Sequence, residues 1–233
     1  EARWLFVRDC RADWRQTPNA YRIKRLDPPA APPMTIEPIA ERAARFMVDD
    51  VPALYWFMRT FRVLEPNVIN PPFHTGNIGG LVTQMISFAR LELADDDAFV
   101  VTLGSGDAPF RDIVLQDYWF RTFDYWHRTA SMNNAQGSPN ADGSTTYVVA
   151  LQDPGVHNWL DPAGFHELLV VHRWQGLKRN AGPEGAPWAK SQLVKLKDLD
   201  AALPAGVRRI TPEQRRQQLA ERHETFKLRY IDR

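Results

Sequence analysis

Short apolar runs of strand length, separated by polar and turn-rich segments, recur along much of this chain and predict strands more often than helices. Six runs carry the pattern: Thr83–Leu93, Ala98–Leu103, Arg111–Trp119, Thr145–Leu151, Phe165–Trp174 and Ser191–Leu196. Two more are expected at Trp4–Arg8 and Tyr21–Leu26, where Tyr21 and Ile23 alternate with Arg22 and Lys24 as in a half-exposed sheet. The acidic turn Ala94–Asp97 joins two of the runs as a strand pair. Asp142-Gly143 has the form of a tight hairpin turn ahead of Thr145.

The helical period of 3.6 shows in two places, and a capping signal marks a third helix. Behind Thr35, the residues Ile36, Ile39, Ala40, Ala43 and Phe46 share a face up to about Val48. Behind Asp50, a second helix to Arg62 carries Val51, Leu54, Tyr55, Met58 and Phe61 in the same spacing. Thr211-Pro212-Glu213-Gln214 is a capping box with proline at the first helical position, opening a helix to about Tyr230. Its arginines are interleaved with Glu213, Glu221 and Glu224, the pattern of a solvated tail helix. Proline removes backbone donors, so Asp27–Pro33 is a stiff linker. The expected organisation is one compact domain: N-terminal strands and linker over 1–33, a helical insert over 34–66, a sheet core over 67–210 and a basic helix over 211–233. The fold class is α+β, mainly β, an antiparallel sandwich of about eight or more strands.

The 233 residues can bury a sizeable core. With 29 basic against 28 acidic residues there is no global field to attract nucleic acid. No apolar run approaches the roughly 20 residues of a membrane-spanning helix. The single cysteine, Cys10, excludes an internal disulfide framework and is expected as a small buried apolar residue. The opening at Glu1 suggests a trimmed product, with a cytoplasmic location favoured over a periplasmic one.

Candidate chemistry concentrates between Ile113 and Trp174. In FDYWHR (Phe123–Arg128), Tyr125, Trp126 and His127 each join an apolar body to one polar tip, suited to lining a pocket or to filling a core. Asn133 and Asn134 in SMNNAQ offer donors and acceptors for a ligand's hydroxyls or for loop backbone. In QDPGVHNWLDPAG (Gln152–Gly164), two Asp-Pro steps bracket His157-Asn158-Trp159-Leu160. Each aspartate can brace a turn. Equally, Trp159 can stack on a sugar or aromatic ring while Asn158 and Asp161 bond hydroxyls. Asp153, Asp161, His127 and His166 are the groups available for proton transfer, although no spacing fixes two of them together. His166 and His172 would lie about 20 Å apart on an extended strand, too far to share an ion, so no metal site is expected. No GxSxG elbow marks a serine nucleophile.

From about Ala98 to Gly176 the chain resembles the bacterial domain of unknown function 1214, often found with a companion domain of unknown function 1254. The resemblance rests on the strand running into DYWF, on FDYWHR, SMNNAQ and the DGS turn, on DPG-x-x-NWLD-x-x-G at Asp153–Gly164, and on the closing Arg173-Trp174. The RLDPP linker and the RITPEQRRQQLAERH helix extend it to most of the chain. It implies jelly-roll-like layers similar to those of some glycan-acting proteins, with helices packed outside. The second Asp-Pro step, Asp161-Pro162, and Phe165 before His166 depart from the family pattern and suggest a reshaped pocket.

Together these observations lead to an expected function: binding of a small hydroxylated or aromatic ligand, carbohydrate-like or phenolic, in a cleft lined by Tyr125, His127, Arg128, Asn133, Asn134, Asn158, Trp159 and Asp161. One alternative is a hydrolase or lyase, with no organic cofactor, using Asp153 or Asp161 with His127 or His166. Another is an assembly domain that packs against a companion domain or another copy as a homo-oligomer.

Overall fold

A computed structural model describes residues 7, 9–24, 26–27, 35–178 and 186–230. The chain divides into two compact units, one of Glu1–Thr17 with Glu65–Arg233 and one of Pro18–Leu64. The smaller unit holds a single helix, α1 (Ile36–Arg62), where two were expected. Thr35 is its N-cap residue as predicted, but Asp50 lies inside the helix and Pro52 does not break it. Proline there removes one backbone donor, a local cost. Ala40–Ala44 before it are good helix formers, and the helix runs on through Leu54–Met58. The strand expected at Tyr21–Leu26 does not form over 21–24, and that expected at Trp4–Arg8 lies almost wholly outside the described residues.

The larger unit is built on two mainly antiparallel sheets. Its strands among the described residues are β1 (Phe73–His74), β2 (Gln84–Glu92), β3 (Asp97–Leu103), β4 (Phe110–Gln116), β5 (Ser131–Asn133), β6 (Thr145–Val149), β7 (Trp159–Leu160), β8 (Glu167–Gln175) and β9 (Ala189–Lys195). One sheet has the order β1-β2-β8-β4-β5 and the other β7-β6-β3-β9, with β6 and β7 parallel. Every strand predicted between Thr83 and Leu196 therefore forms, within a few residues at each end. Alternate residues of both sheets meet in one core: Leu91, Ile113 and Val170 of the first sheet against Phe99, Val101 and Val149 of the second.

The expected β2–β3 strand pair is not made. β2 pairs with β1 and β8, and β3 with β6 and β9, so the Ala94–Asp97 turn carries the chain from one sheet to the other. Asp97 holds that crossing. It is buried, accepts the Ala94 N–H at 2.9 Å and pairs with Lys195 of β9 at 2.8 Å. The predicted Asp142-Gly143 turn forms with Gly143 at φ +80°, but it too links different sheets, β5 and β6.

Two short helical segments follow β9, of which α2 (Leu199–Ala202) packs Leu199 beneath the outer face of the second sheet. The last helix, α3 (Pro212–Lys227), starts as predicted. Thr211 Oγ1 accepts the Gln214 N–H at 3.2 Å, and Gln214 Oε1 accepts the Thr211 N–H at 2.9 Å. It is not a solvated tail. Arg215 and Phe226 are buried, and the helix docks on the loops at one end of the sheets.

Candidate functional site

The two Asp-Pro steps fold as braces. Asp153 accepts the Gly155 N–H at 2.9 Å, closing a turn in which Gly155 takes φ +69°. Its carboxylate also receives Arg215 of α3 from Nε at 2.9 Å and from Nη2 at 3.2 Å. The guanidinium of Arg215 lies over the Trp159 ring, 5.0 Å from its centroid, and donates to the Val156 carbonyl. Trp159 is 8% exposed, packs in the second apolar cluster and donates its indole N–H to the Ala150 carbonyl at 2.8 Å. With one face under a guanidinium and its donor used, it has no free surface on which a ligand could stack. Asn158 is likewise consumed, giving its amide hydrogens to Ser138 O and Thr146 O and accepting the Ser138 N–H. Asp161 accepts the Ala163 N–H and holds Arg128 at 2.8 Å.

The other expected groups are dispersed. Asn134 is a backbone clamp that accepts the Arg111 N–H at 3.0 Å. His127 pairs through Nδ1 with Asp124 at 2.9 Å and stacks on Trp126, beside His223 of α3. His166 sits just before β8, with Nδ1 2.7 Å from the Leu93 carbonyl, so that nitrogen carries the proton it donates. Among the described residues no hydrogen bond or ion pair joins Asp153 or Asp161 to His127 or His166. No group of three or more His, Cys, Asp or Glu side chains there converges as for a metal ion. Cys10 is exposed rather than buried, with Sγ 3.0 Å from Gln175 Oε1.

Tyr125 and Asn133 do face a common space. A cleft of about 540 Å³ lies between α3, the turn after β5 and the Arg11–Arg15 segment. Asn133 ties two walls together, donating to the Ala12 carbonyl at 2.8 Å while its Oδ1 accepts the Ala135 and Gln136 N–H groups. Arg15 bridges to Glu221 of α3 at 3.0 Å, and Trp14 meets Phe226 edge to face at 6.3 Å. Tyr125 packs edge-on against Phe226, and its hydroxyl accepts from Arg229 at 2.9 Å. At the other end His157 places Nε2 3.1 Å from the Gln136 carbonyl. A carbonyl only accepts, so Nε2 carries the hydrogen and Nδ1 is left to accept from the Gln218 amide at 3.4 Å. Burial first, and the charges of Arg208 and Arg215 after it, hold His157 below the ordinary imidazole range, so it is neutral at pH 7.

Arg222 forms the floor. It donates from Nε to Tyr125 O at 2.6 Å and from Nη2 to the Ser131 carbonyl and hydroxyl. Burial lowers its pKa to about 10, which leaves it charged at neutral pH. Of the cleft's groups, the sequence pointed to Tyr125 and Asn133. It missed Trp14, Gln218, Arg208 and Arg222, which come from distant parts of the chain. One signal was present: Arg215, Gln218, Arg222 and Phe226 recur at three- and four-residue spacing, so they form one face of α3. That face is the one the helix buries.

A further polar group lies inside the sandwich. Ser87, His172 and Ile113 are cross-strand neighbours on β2, β8 and β4, on the face that meets the second sheet. His172 is 1% exposed, sits edge-on to Trp174 at 4.1 Å and has no partner for either ring nitrogen among the described residues. Burial, with Arg111 and Arg173 nearby, lowers its pKa to about 3. Asp112 is pushed the other way. Burial raises it to about 6 against the pull of Arg173, 3.8 Å away.

No family model matches this chain, and no curated protein matches it. A solved structure of an uncharacterised protein from Burkholderia cenocepacia is similar over 77% of the chain, at 29% identity and a TM-score of 0.61. The chain spans about half of that protein's length, 48%. The VPA0106 protein from Vibrio parahaemolyticus matches over 46% of this chain and 30% of its own, at 14% identity and a TM-score of 0.34.

Proposed function

We propose that this chain binds a small hydroxylated or aromatic organic ligand in the cleft between α3, the turn after β5 and the Arg11–Arg15 segment. The observation that carries this is the lining. The amide of Gln217 and the amide nitrogens of Asn133 and Gln214, which keep hydrogens the fold does not use, share one concave space of about 540 Å³ with the rings of Trp14 and Tyr125. Amides supply both donors and acceptors to hydroxyls, and aromatic faces cover the apolar side of a sugar or phenyl ring. Compared with the cleft expected from sequence, the proposed site keeps Tyr125 and Asn133 and moves from the Trp159 loop to α3. The hydrolase or lyase alternative gains nothing from the geometry, since its four residues are held in separate local contacts.

A thermal-shift screen of sugars, polyols, aromatic acids and phenolic ethers tests the proposal. A ligand at 100 times its Kd adds about 2.7 kcal/mol, roughly 5–10 °C in Tm for a chain of this size. Trp14→Ala or Gln217→Ala should abolish the shift. A screen with no hit, or a hit untouched by both substitutions, would sink it.

Two further parts of the reading belong here. We infer that the two sheets are jelly-roll layers and that the chain groups with the domain of unknown function 1214. The support is that Asp153, Asn158, Trp159 and Asp161 of the shared motif each have a structural duty any member would need. Family members whose matching residues make no such contacts would count against it. Assembly with another copy is the second reading, favoured by α1, which exposes Ile36, Phe46, Met47, Val48 and Trp56. Light scattering should then report a dimer that Phe46→Glu with Trp56→Glu converts to monomer; a monomeric parent chain would end that reading.

A further inference from the structure

Four guanidinium groups line the cleft, those of Arg11, Arg15, Arg208 and Arg222, against two carboxylates, Asp13 and Glu221. Both carboxylates are spent on one partner: Arg15 binds Asp13 at 3.2 Å and Glu221 at 3.0 Å. Among the described residues the other three have no carboxylate. Arg11 lies over the Trp14 ring at 4.8 Å, and its one recorded hydrogen bond, to the Gln16 carbonyl, is long at 3.4 Å. Arg208 is exposed, and its side chain makes no recorded contact with an acceptor.

Arg222 decides the matter. It stands two helical turns from Arg215 on the same side of α3, and the two are treated differently. Arg215 is buried with a carboxylate, Asp153, supplied by the protein. Arg222 is half-buried with none among the described residues, its neighbours being two carbonyls and a hydroxyl. A desolvated cation without a counter-ion is costly, and arginine cannot escape by losing its proton at neutral pH. Nε and Nη2 are occupied. Nη1 has no acceptor among the described residues and is not sealed from solvent, and Arg222 lines the cleft.

We infer that the ligand of this cleft is a small organic anion whose oxyanion, a carboxylate or a phosphate, is held by Arg222 Nη1 with Arg208 and Arg11 at the rim. The inference rests on the cleft being the ligand site. It adds the charge, which the amide and aromatic lining does not specify. The Gln217 amide and Gln214 Nε2, which the hydrogen bonds among the described residues leave unused, then face the uncharged body of the ligand, where they can bond hydroxyls. Carboxylate and phosphate share the chemistry that a guanidinium recognises.

The test is calorimetric titration of the full chain with matched sets: glucose, glucuronate and glucose 6-phosphate, and benzyl alcohol beside benzoate, each at low and high salt. At least one anion should bind about tenfold more tightly than its neutral twin, the low end for a charge-assisted hydrogen bond, and should weaken with salt. A preference confined to the carboxylates identifies an organic acid, and one confined to the phosphate identifies a phosphate ester; both support the oxyanion. Arg222→Gln should erase the preference. Should that variant not fold, Arg208→Gln and Arg11→Gln decide, each reducing the preference several-fold, with Tm unchanged in Arg208→Gln. Neutral and anionic twins that bind alike would overturn the charge and leave the cleft standing. An anion preference unchanged in all three variants would place the charge recognition elsewhere. No binding by any member would remove the cleft and the anion together.

Discussion

Asp153→Ala is the most informative single change, because the sequence offers Asp153 as a proton-transfer group and the structure gives it a structural task. The carboxylate accepts two hydrogen bonds from Arg215 and one from the Gly155 N–H. Its side chain is about one-third exposed, whereas that of Arg215 is 6% exposed. Removal therefore strands a buried guanidinium that keeps only carbonyl and amide partners. Breaking a buried ion pair by deleting one member costs about 3–5 kcal/mol. The partial exposure of Asp153 argues for the lower end, about 3 kcal/mol, or roughly 6–12 °C in Tm. Urea unfolding followed by tryptophan fluorescence should show the midpoint falling at constant m-value. Asp153→Ala with Arg215→Met should recover part of the loss, since it removes the stranded charge as well. A single variant within about 0.5 kcal/mol of the parent, or a double variant worse than the sum of its singles, would refute the brace reasoning.

Two pH effects of opposite sign follow from buried His172 and half-buried Asp112. His172 has its pKa lowered to about 3, so its stabilising effect is full above the unfolded value near 6.5 and is lost as pH falls. His172→Gln should flatten the acid limb of a urea-midpoint profile, where one proton contributes about 1.4 kcal/mol per pH unit; an unchanged limb would refute it. Asp112 has its pKa raised to about 6, so the folded state favours the protonated acid and loses stability as pH rises from about 4 through 6. Asp112→Asn should remove that loss and equal or exceed the parent in stability at pH 7, read from the same profile. Thr211→Ala opens the capping box of α3 and should cost about 1 kcal/mol in a urea midpoint, with no change if the helix is held only by its docked face.

The strands between Thr83 and Leu196 were legible because short apolar runs rich in β-branched and aromatic residues, bounded by turn residues, favour strands even where both faces are buried, as in β3 and β6, and the start of α3 because a capping box satisfies its own donors locally. The partners of those strands were not legible. Nothing in Ala94–Asp97 says whether the turn returns the chain to the same sheet or sends it to the other. The answer lies in β8 and β9, some seventy to a hundred residues later. The Asp50-Val51-Pro52 step shows the opposite limit. A local rule predicted a break, and the helix runs through it, losing one backbone donor at Pro52.

The site divides along the same line. Asp-Pro, Asn-Trp and paired asparagines are visible as polar groups in turn-rich sequence, but the same residue types brace loops and grip ligands. Only burial separates the two duties: Trp159 and Asn158 have every polar atom satisfied from within, while Tyr125 and Asn133 border open space. Arg222 illustrates the difference most sharply. In sequence it is one arginine among several on a helix balanced by glutamates. In the fold its Nε and Nη2 are spent on carbonyls and a hydroxyl, and among the described residues no carboxylate pairs with it. The sequence by itself determined which segments are apolar runs of strand length, which cap and which turn, since those depend on neighbours a few residues away. The tertiary structure alone decided which charges were left uncompensated, because electrostatic balance depends on what the rest of the chain brings alongside.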